Sequence, residues 1–407
     1  HDVTCRESGF SSQPGPGLQR RSDSREFSKT HRMIAAESLT QQFRANTGAE
    51  LTESDFNRRG FHAEAVIPGN KVRETAQWLT ANGYFLETAT TADFSDVFEV
   101  LHLFKHTKSS HRIACKNIVP KNSEAVSIAD ITPAADWYER EMYDMYGLRF
   151  AGRPDIQRLL LPDSSQIHPL LKSFKGEPEG SDVRQVTELL KETHEKFEVV
   201  YPQSRDTYTE EYFLNLGPQH PSTHGVLRLR LHLKGERVLT AEPIIGYVHR
   251  NHEKMAEIQD YKAFWPNVGR LDYVGAMSYN FAYAMLIERA MGLEISERVS
   301  VIRVLLCELN RISSHLLWLG TYLLDLGAFT PFFYCFHDRE KILDIIEHVT
   351  GERLTYNYFR FGGLDKDVNT DQFLKEIQAF TRDFRKSFKR YETLLTKNVI
   401  FRKRTDG

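Results

Sequence analysis

Two histidines and two hydroxyls crowd into Gly217-Pro218-Gln219-His220-Pro221-Ser222-Thr223-His224-Gly225. Histidine takes up or releases a proton near neutral pH, so such a loop can serve proton transfer to a bound ligand. Pro218 and Pro221 forbid a regular helix and stiffen the turn. Gly217 and Gly225 let the backbone turn sharply or approach a ligand. On spacing alone, the commoner arrangement is a polar turn whose side chains satisfy their own backbone. A metal pair His220/His224 is disfavoured, because no third ligand stands nearby and the prolines spoil a helical i,i+4 face.

Three further places carry polar groups that chemistry could use. Gly246-Tyr247-Val248-His249-Arg250-Asn251-His252-Glu253-Lys254-Met255 is charged, but it is not H-E-x-x-H, so a zinc-peptidase reading fails. Arg270-Leu271-Asp272-Tyr273 joins a cation to a phenol that can hydrogen-bond a carbonyl oxygen. Asp325 sits among leucines in Leu323-Leu324-Asp325-Leu326-Gly327 and needs a partner, which a histidine on a neighbouring loop could supply. No G-x-x-x-x-G-K-[ST], strand-borne G-x-G-x-x-G or G-x-S-x-G occurs, which removes the main signatures of nucleotide binding and serine hydrolysis.

The elements that must position these groups follow from periodicity. Phe98-Glu99-Val100-Leu101-His102-Leu103-Phe104 alternates like a strand, while 74–81 and 136–146 look helical. Residues 33–172 are therefore expected to form a mixed α/β domain. Residues 173–208, beginning with Lys175-Gly176-Glu177-Pro178-Glu179-Gly180-Ser181, have linker chemistry and include a polar helical stretch over 182–197. A second unit, 209–407, opens on a strand in which Leu227, Leu229, Leu231 and Leu233 alternate with charged residues, predicting one buried and one wet face. Lys234-Gly235-Glu236 turns it into a hairpin. Helices then dominate. One covers 276–291 and stops at Gly292. Ser296 caps the next, which runs to about Asp325. Asp338 is expected to cap another that ends at Gly351. Phe373, Ile377, Phe380, Phe384 and Phe388 mark a last amphipathic helix. The fold class is thus α+β, with the mainly helical part second. Residues 1–32 read as an extension ahead of the folded chain, with no apolar core of a secretory signal.

The bulk numbers exclude some partners. A net charge of −2 makes no demand for nucleic acid. The longest apolar run, Phe281 to Ile287, falls far short of the roughly 20 residues of a membrane span, so membrane association must go through partners. Cys5, Cys115, Cys307 and Cys335 form no C-x-x-C, which argues against a zinc site or iron–sulfur cluster held by this chain alone. Such isolated cysteines fit a reducing compartment.

The segment Asn215 to Gly225 resembles the opening of the D (49-kilodalton-type) subunit of NADH:quinone oxidoreductase, respiratory complex I. Further matching blocks follow in order: Ile245 through Lys254, Arg270 to Tyr273, Val301-Ile302-Arg303-Val304 with Glu308-Leu309, Leu323 through Phe333, and Arg360-Phe361-Gly362-Gly363. Upstream, Trp137-Tyr138-Glu139-Arg140-Glu141-Met142-Tyr143-Asp144-Met145-Tyr146-Gly147 resembles the signature of the C (30-kilodalton-type) subunit, with Leu159-Leu160-Leu161-Pro162 and His168-Pro169-Leu170 after it. The chain looks like a bacterial fusion of the two, with a D-type part that stops short of the family's length and resembles the hydrogenase large subunit. The resemblance implies that His224 and Tyr273 bind the quinone carbonyls and that Asp325 partners the loop histidine. It places Arg270 beside the terminal 4Fe–4S cluster of the B subunit. It also implies the I subunit and the H and A membrane subunits as partners, proton pumping, and a peripheral place on the cytoplasmic side of the bacterial inner membrane.

Departures from the family pattern sharpen the expectation. Asn251 stands where Gly or Ala is usual, Gln259 where a base is usual, and Arg153 where the C signature has His or Lys. Thr355 replaces a histidine that many relatives place near the cluster, which predicts a lower and less pH-dependent cluster potential suited to menaquinone. Two other functions are weighed against quinone reduction. A nickel hydrogenase needs a cysteine pair near 247–257, and that stretch has none. A non-catalytic scaffold is opposed by the retained His224, Tyr273 and Asp325.

Overall fold

The computed structural model describes residues 40–175, 211–220 and 223–405. The expected extension over 1–32, the linker from residue 176 onward and its helix over 182–197 lie outside the described residues. The chain divides into two compact units, His1–Lys196 and Phe197–Gly407.

The first unit is a five-stranded sheet in the order β1-β2-β5-β4-β3. Its strands are β1 (Thr52–Glu53), β2 (Ala63–Val66), β3 (Tyr84–Asp93), β4 (Val97–His106) and β5 (Arg112–Pro120). Within this sheet only the β2/β5 pairing is parallel. The predicted alternation holds: Phe98, Val100, His102 and Phe104 of β4 all point into the core. Helices α1 (Val72–Ala81) and α2 (Ala134–Tyr146) cover that face, burying Leu79, Ala135 and Met142.

The carboxylates of the C-type signature turn out to be structural acceptors. Buried Glu139 receives Ser127 Oγ at 2.7 Å, the Ile128 amide at 2.8 Å and Arg153 Nη1 at 2.8 Å. Arg153, one of the departures noted above, therefore neutralises a buried charge, and it also pairs with Asp136. Buried Asp144 receives Arg158 at 2.5 Å and the amides of Leu160 and Leu161 at 2.7 and 2.8 Å, which pins the Leu159-Leu160-Leu161-Pro162 segment to α2.

The second unit opens on a three-stranded antiparallel sheet rather than a simple hairpin. It comprises β8 (Glu211–Leu216), β9 (Arg228–Lys234) and β10 (Arg237–Ile244), after two short strands, β6 (Ala125–Val126) and β7 (Phe150–Ala151), in the first unit. Gly235 takes φ +58 in the two-residue turn between β9 and β10. The leucine alternation is present, but its burial is not: only Leu233 is buried, and Leu227 is 38% exposed. A sheet face is buried only where a second layer covers it, which periodicity alone cannot supply.

The helices are α3 (His252–Ile258), α4 (Tyr261–Val268), α5 (Ala276–Met291), α6 (Glu297–Asp325), α7 (Phe329–Thr350), α8 (Thr370–Leu395) and α9 (Val399–Thr405). Gly292 stops α5 in the left-handed region, and Ser296 Oγ caps α6 by accepting from the Val299 amide. Asp338 does not cap a helix. It lies inside α7, 3% exposed, where it accepts from Tyr391 Oη at 2.6 Å and Lys341 Nζ at 3.0 Å. The helix instead begins at Phe329, with Pro331 in its first turn, where a missing amide hydrogen costs nothing.

Arg303 of α6 is 1% exposed and forms a two-bond pair with Glu288 of α5 at 3.0 and 2.7 Å. It also donates to the carbonyls of Arg360 and Gly363, both at 2.8 Å, and so holds the hairpin of β11 (Phe359–Arg360) and β12 (Gly363–Leu364). Arg303→Ala leaves Glu288 buried without its cation, and denaturant melts should show a loss of about 3–5 kcal/mol. The paired replacement Arg303→Met/Glu288→Leu should recover most of it.

His102 carries a second consequence. Burial pushes its imidazole down to about 4, and Nε2 finds no partner among the described residues. Burial, then the charges of His62 and His106, push His111 down to about 4 as well. Both are neutral when folded, yet both protonate in the unfolded chain below its ordinary value of 6.5. The contribution of these two histidines to stability is therefore full above pH 6.5, falls between 6.5 and 4, and is level below 4. His102 accounts for about 3 kcal/mol of that loss. Denaturant melts of the His102→Leu chain should show a shallower decline over this window, and a decline parallel to wild type contradicts the assignment.

Candidate functional site

The proline-rich loop leaves β8 at Gly217, whose φ is +84. A Cβ there would sit 2.0 Å from the Leu227 carbonyl oxygen, so only glycine lets the loop pass this close to the strand it precedes. The loop then closes on itself. The Gln219 amide donates to Gly225 O at 2.9 Å, and the His224 amide donates to His220 O at 3.2 Å. Pro221 and Ser222 lie outside the described residues. His224 has φ +51, a left-handed conformation. From it the imidazole meets Asp325 at the end of α6, with Nε2 3.1 Å from Oδ2. Both side chains are partly open, at 28% and 40%.

Tyr273 stands beside the loop, near Gly225. Its hydroxyl is 3.8 Å from the point a Cβ on Gly225 would occupy. The ring is half exposed and its hydroxyl makes no hydrogen bond among the described residues. Its backbone is set by an Asx turn, in which Asp272 Oδ1 accepts from the amides of Val274 and Gly275, both at 3.1 Å. A Cβ on Gly275 would lie 2.7 Å from Asp272 Oδ2, so any larger residue there displaces that carboxylate. His224, Tyr273 and Asp325 are thus brought together from three separate segments. Arg270 is exposed and donates to Pro266 O. No hydrogen bond or ion pair joins Arg270 or Thr355 to the trio among the described residues.

The charged block at 246–255 is tied to the same sheet. Arg228 of β9 donates Nη1 to Tyr247 Oη at 3.2 Å and Nη2 to Asn215 Oδ1 at 3.0 Å. Asn251 has φ +54, and asparagine is among the side chains that tolerate this region best. Burial holds His252 below its ordinary pKa, with the charges of Arg250 and His249 adding to the effect. Gln259, the other departure, accepts from Asn267 Nδ2 at 3.2 Å. The described residues contain no group of three or more His, Cys, Asp or Glu able to hold a metal ion. Cys115, Cys307 and Cys335 are separate, with thiols pushed up by burial.

Sequence reasoning missed Asp272 and Gly275 as supports of Tyr273, although the Asp-x-x-Gly spacing is a visible turn signal.

Residues 65–180 match the family "Respiratory-chain NADH dehydrogenase, 30 Kd subunit", and residues 325–407 match "Respiratory-chain NADH dehydrogenase, 49 Kd subunit". An α+β unit and a mainly helical unit, each matching one component of the same respiratory enzyme, define a two-component fusion. Over 352 residues the chain is 39% identical to the C/D subunit of NADH-quinone oxidoreductase from Phocaeicola vulgatus, covering 84% of this chain and 67% of that one. It is 38% identical over 324 residues to the C/D subunit from Chromohalobacter salexigens, covering 78% and 54%. It is 52% identical over 196 residues to the D subunit from Syntrophobacter fumaroxidans, covering 48% and 52%. The chain belongs to the family of fused C/D subunits of NADH-quinone oxidoreductase. It spans between about half and two thirds of the length of these relatives.

Thr355 also has φ +51, although it is β-branched and has no special fitness for that region. The left-handed conformation costs such a residue about 1–2 kcal/mol. Glycine relieves this but adds about 0.5–1 kcal/mol of unfolded-chain entropy. Thr355→Gly should therefore be neutral to stabilising by about 1 kcal/mol in thermal melts. A clear loss of stability shows that the threonine side chain makes contacts outweighing the strain.

Proposed function

We propose that this chain supplies the quinone-reduction site of a proton-pumping NADH:quinone oxidoreductase, in the peripheral arm on the cytoplasmic side of the bacterial inner membrane. The observation that carries the reading is the meeting of His224, Asp325 and Tyr273 around one loop. A quinone becomes a quinol by taking two electrons and two protons, and negative charge grows on its two oxygens as it does so. Donors fixed at those oxygens stabilise that charge. Tyr273 Oη is available to one carbonyl. His224 in its doubly protonated form gives Nε2–H to Asp325 and keeps Nδ1–H for the other. Each can pass its proton to the oxygen it bonds. Asp325 holds the imidazole in place through all of this. The site is open to solvent in this chain, so a partner surface is needed to close it.

The chain's own described residues offer no cluster ligands. In this reading, which follows the family resemblance, electrons enter from the terminal 4Fe–4S cluster of the B subunit, with Arg270 and Thr355 on the cluster side. The I, H and A subunits complete the neighbourhood. Thr355 cannot carry a positive charge, which fits a cluster of lower, less pH-dependent potential and menaquinone as substrate.

The test uses membranes containing the assembled complex. His224→Ala and Tyr273→Phe should each lower quinone reduction by roughly 100-fold. Electron delivery to an artificial acceptor that reacts upstream should stay unchanged. Quinone reduction at the wild-type rate in both variants rejects the site. An equal loss of both activities assigns the chain an assembly role instead.

A further inference from the structure

Helix α5 begins without a cap of its own. Its N-cap residue is Gly275, which has no side chain to accept from the first-turn amides. The missing acceptor comes from another helix. Asn310 of α6, 3% exposed, accepts from the Met277 amide through Oδ1 at 3.2 Å. Its other end is also occupied, because Nδ2 donates to Val274 O at 3.0 Å. A carboxamide used at both ends cannot turn over without losing both bonds, so it fixes the Val274–Gly275 peptide, one residue beyond Tyr273, and the start of α5 together. Tyr273 itself makes no hydrogen bond through its side chain among the described residues, so its placement comes from its backbone neighbours.

Fifteen residues further along the same helix stands Asp325, the partner of His224. At 1.5 Å per residue, Asn310 and Asp325 are about 22 Å apart along one rod. The positions of Tyr273 and His224 are thus referred to a single rigid element, through two polar contacts at two heights on it.

We propose that Asn310 is a positioning residue. Through Val274 and Met277 it sets Tyr273 against the loop that carries His224, and this inference rests on the quinone-site reading above. Substrate never touches Asn310. A small displacement of a reacting group by a distant change is nonetheless enough to cost orders of magnitude in rate.

The experiment is a double-mutant cycle in membranes holding the assembled complex, with its amount fixed by immunoblot. Asn310→Asp keeps the shape and the acceptor but removes the donor to Val274. Asn310→Ser is the second variant. Either should raise the quinone KM or lower the turnover by roughly 10-fold, with upstream electron delivery unchanged. Adding Tyr273→Phe to Asn310→Asp should cost little beyond Tyr273→Phe alone, because both act through one group. Independent, multiplying effects overturn the inference, as does an unchanged KM and turnover in both Asn310 variants. Failure of both variants to assemble assigns Asn310 to folding and overturns it too. A silent Tyr273→Phe overturns the site reading together with this inference, whereas a damaging Tyr273→Phe beside a silent Asn310→Asp overturns this inference alone.

Discussion

A guanidinium can be buried only if acceptors surround it, and this requirement organises the helical unit. Arg303 finds Glu288 on one side and the carbonyls of Arg360 and Gly363 on the other. Three segments distant in sequence must arrive together to supply these acceptors: α5, α6 and the β11–β12 hairpin. Once they have, α6 is fixed in rotation about its own axis. Asn310 then faces α5, and Asp325 emerges toward the loop that carries His224. The buried polar groups thus set the register of the helices, while Leu306, Ile342 and Ile346 supply the burial that holds them together.

Much of this was legible in the sequence, where signal and cause were both local. Gly292 ends α5 because a left-handed residue is needed there, and Ser296 caps α6 through its own third neighbour. The strand over 97–106 showed its inward face in plain alternation. Asp338 invites misreading because an aspartate before an apolar stretch has two uses, capping and burial. Tyr391 decides between them from 53 residues away. The leucines of β9 announced an inward face, but alternation cannot say whether a second layer is present to cover it.

The candidate site divides along the same line. From residue types alone, the loop at 217–225 supported a polar turn; the resemblance to a family singled out His224, Tyr273 and Asp325. The structure adds the mutual placement, with the imidazole on the carboxylate and the phenol beside Gly225. In the C-type signature, Glu139 and Asp144 are bonded to amides, hydroxyls and arginines of their own unit. Asn310 was invisible because its partners lie 33 and 36 residues away, and nothing near it in sequence marks it.

Gln219, His224, Asn251 and Thr355 are the only non-glycine residues with positive φ among those described, and all four fall in the second unit, two of them in the loop of the candidate site. None sits inside a regular helix or strand. Segments of this kind open at a lower cost than the helices they join. The helical frame can therefore stay rigid while the loops around His224 and Thr355 adjust to whichever surface closes over them.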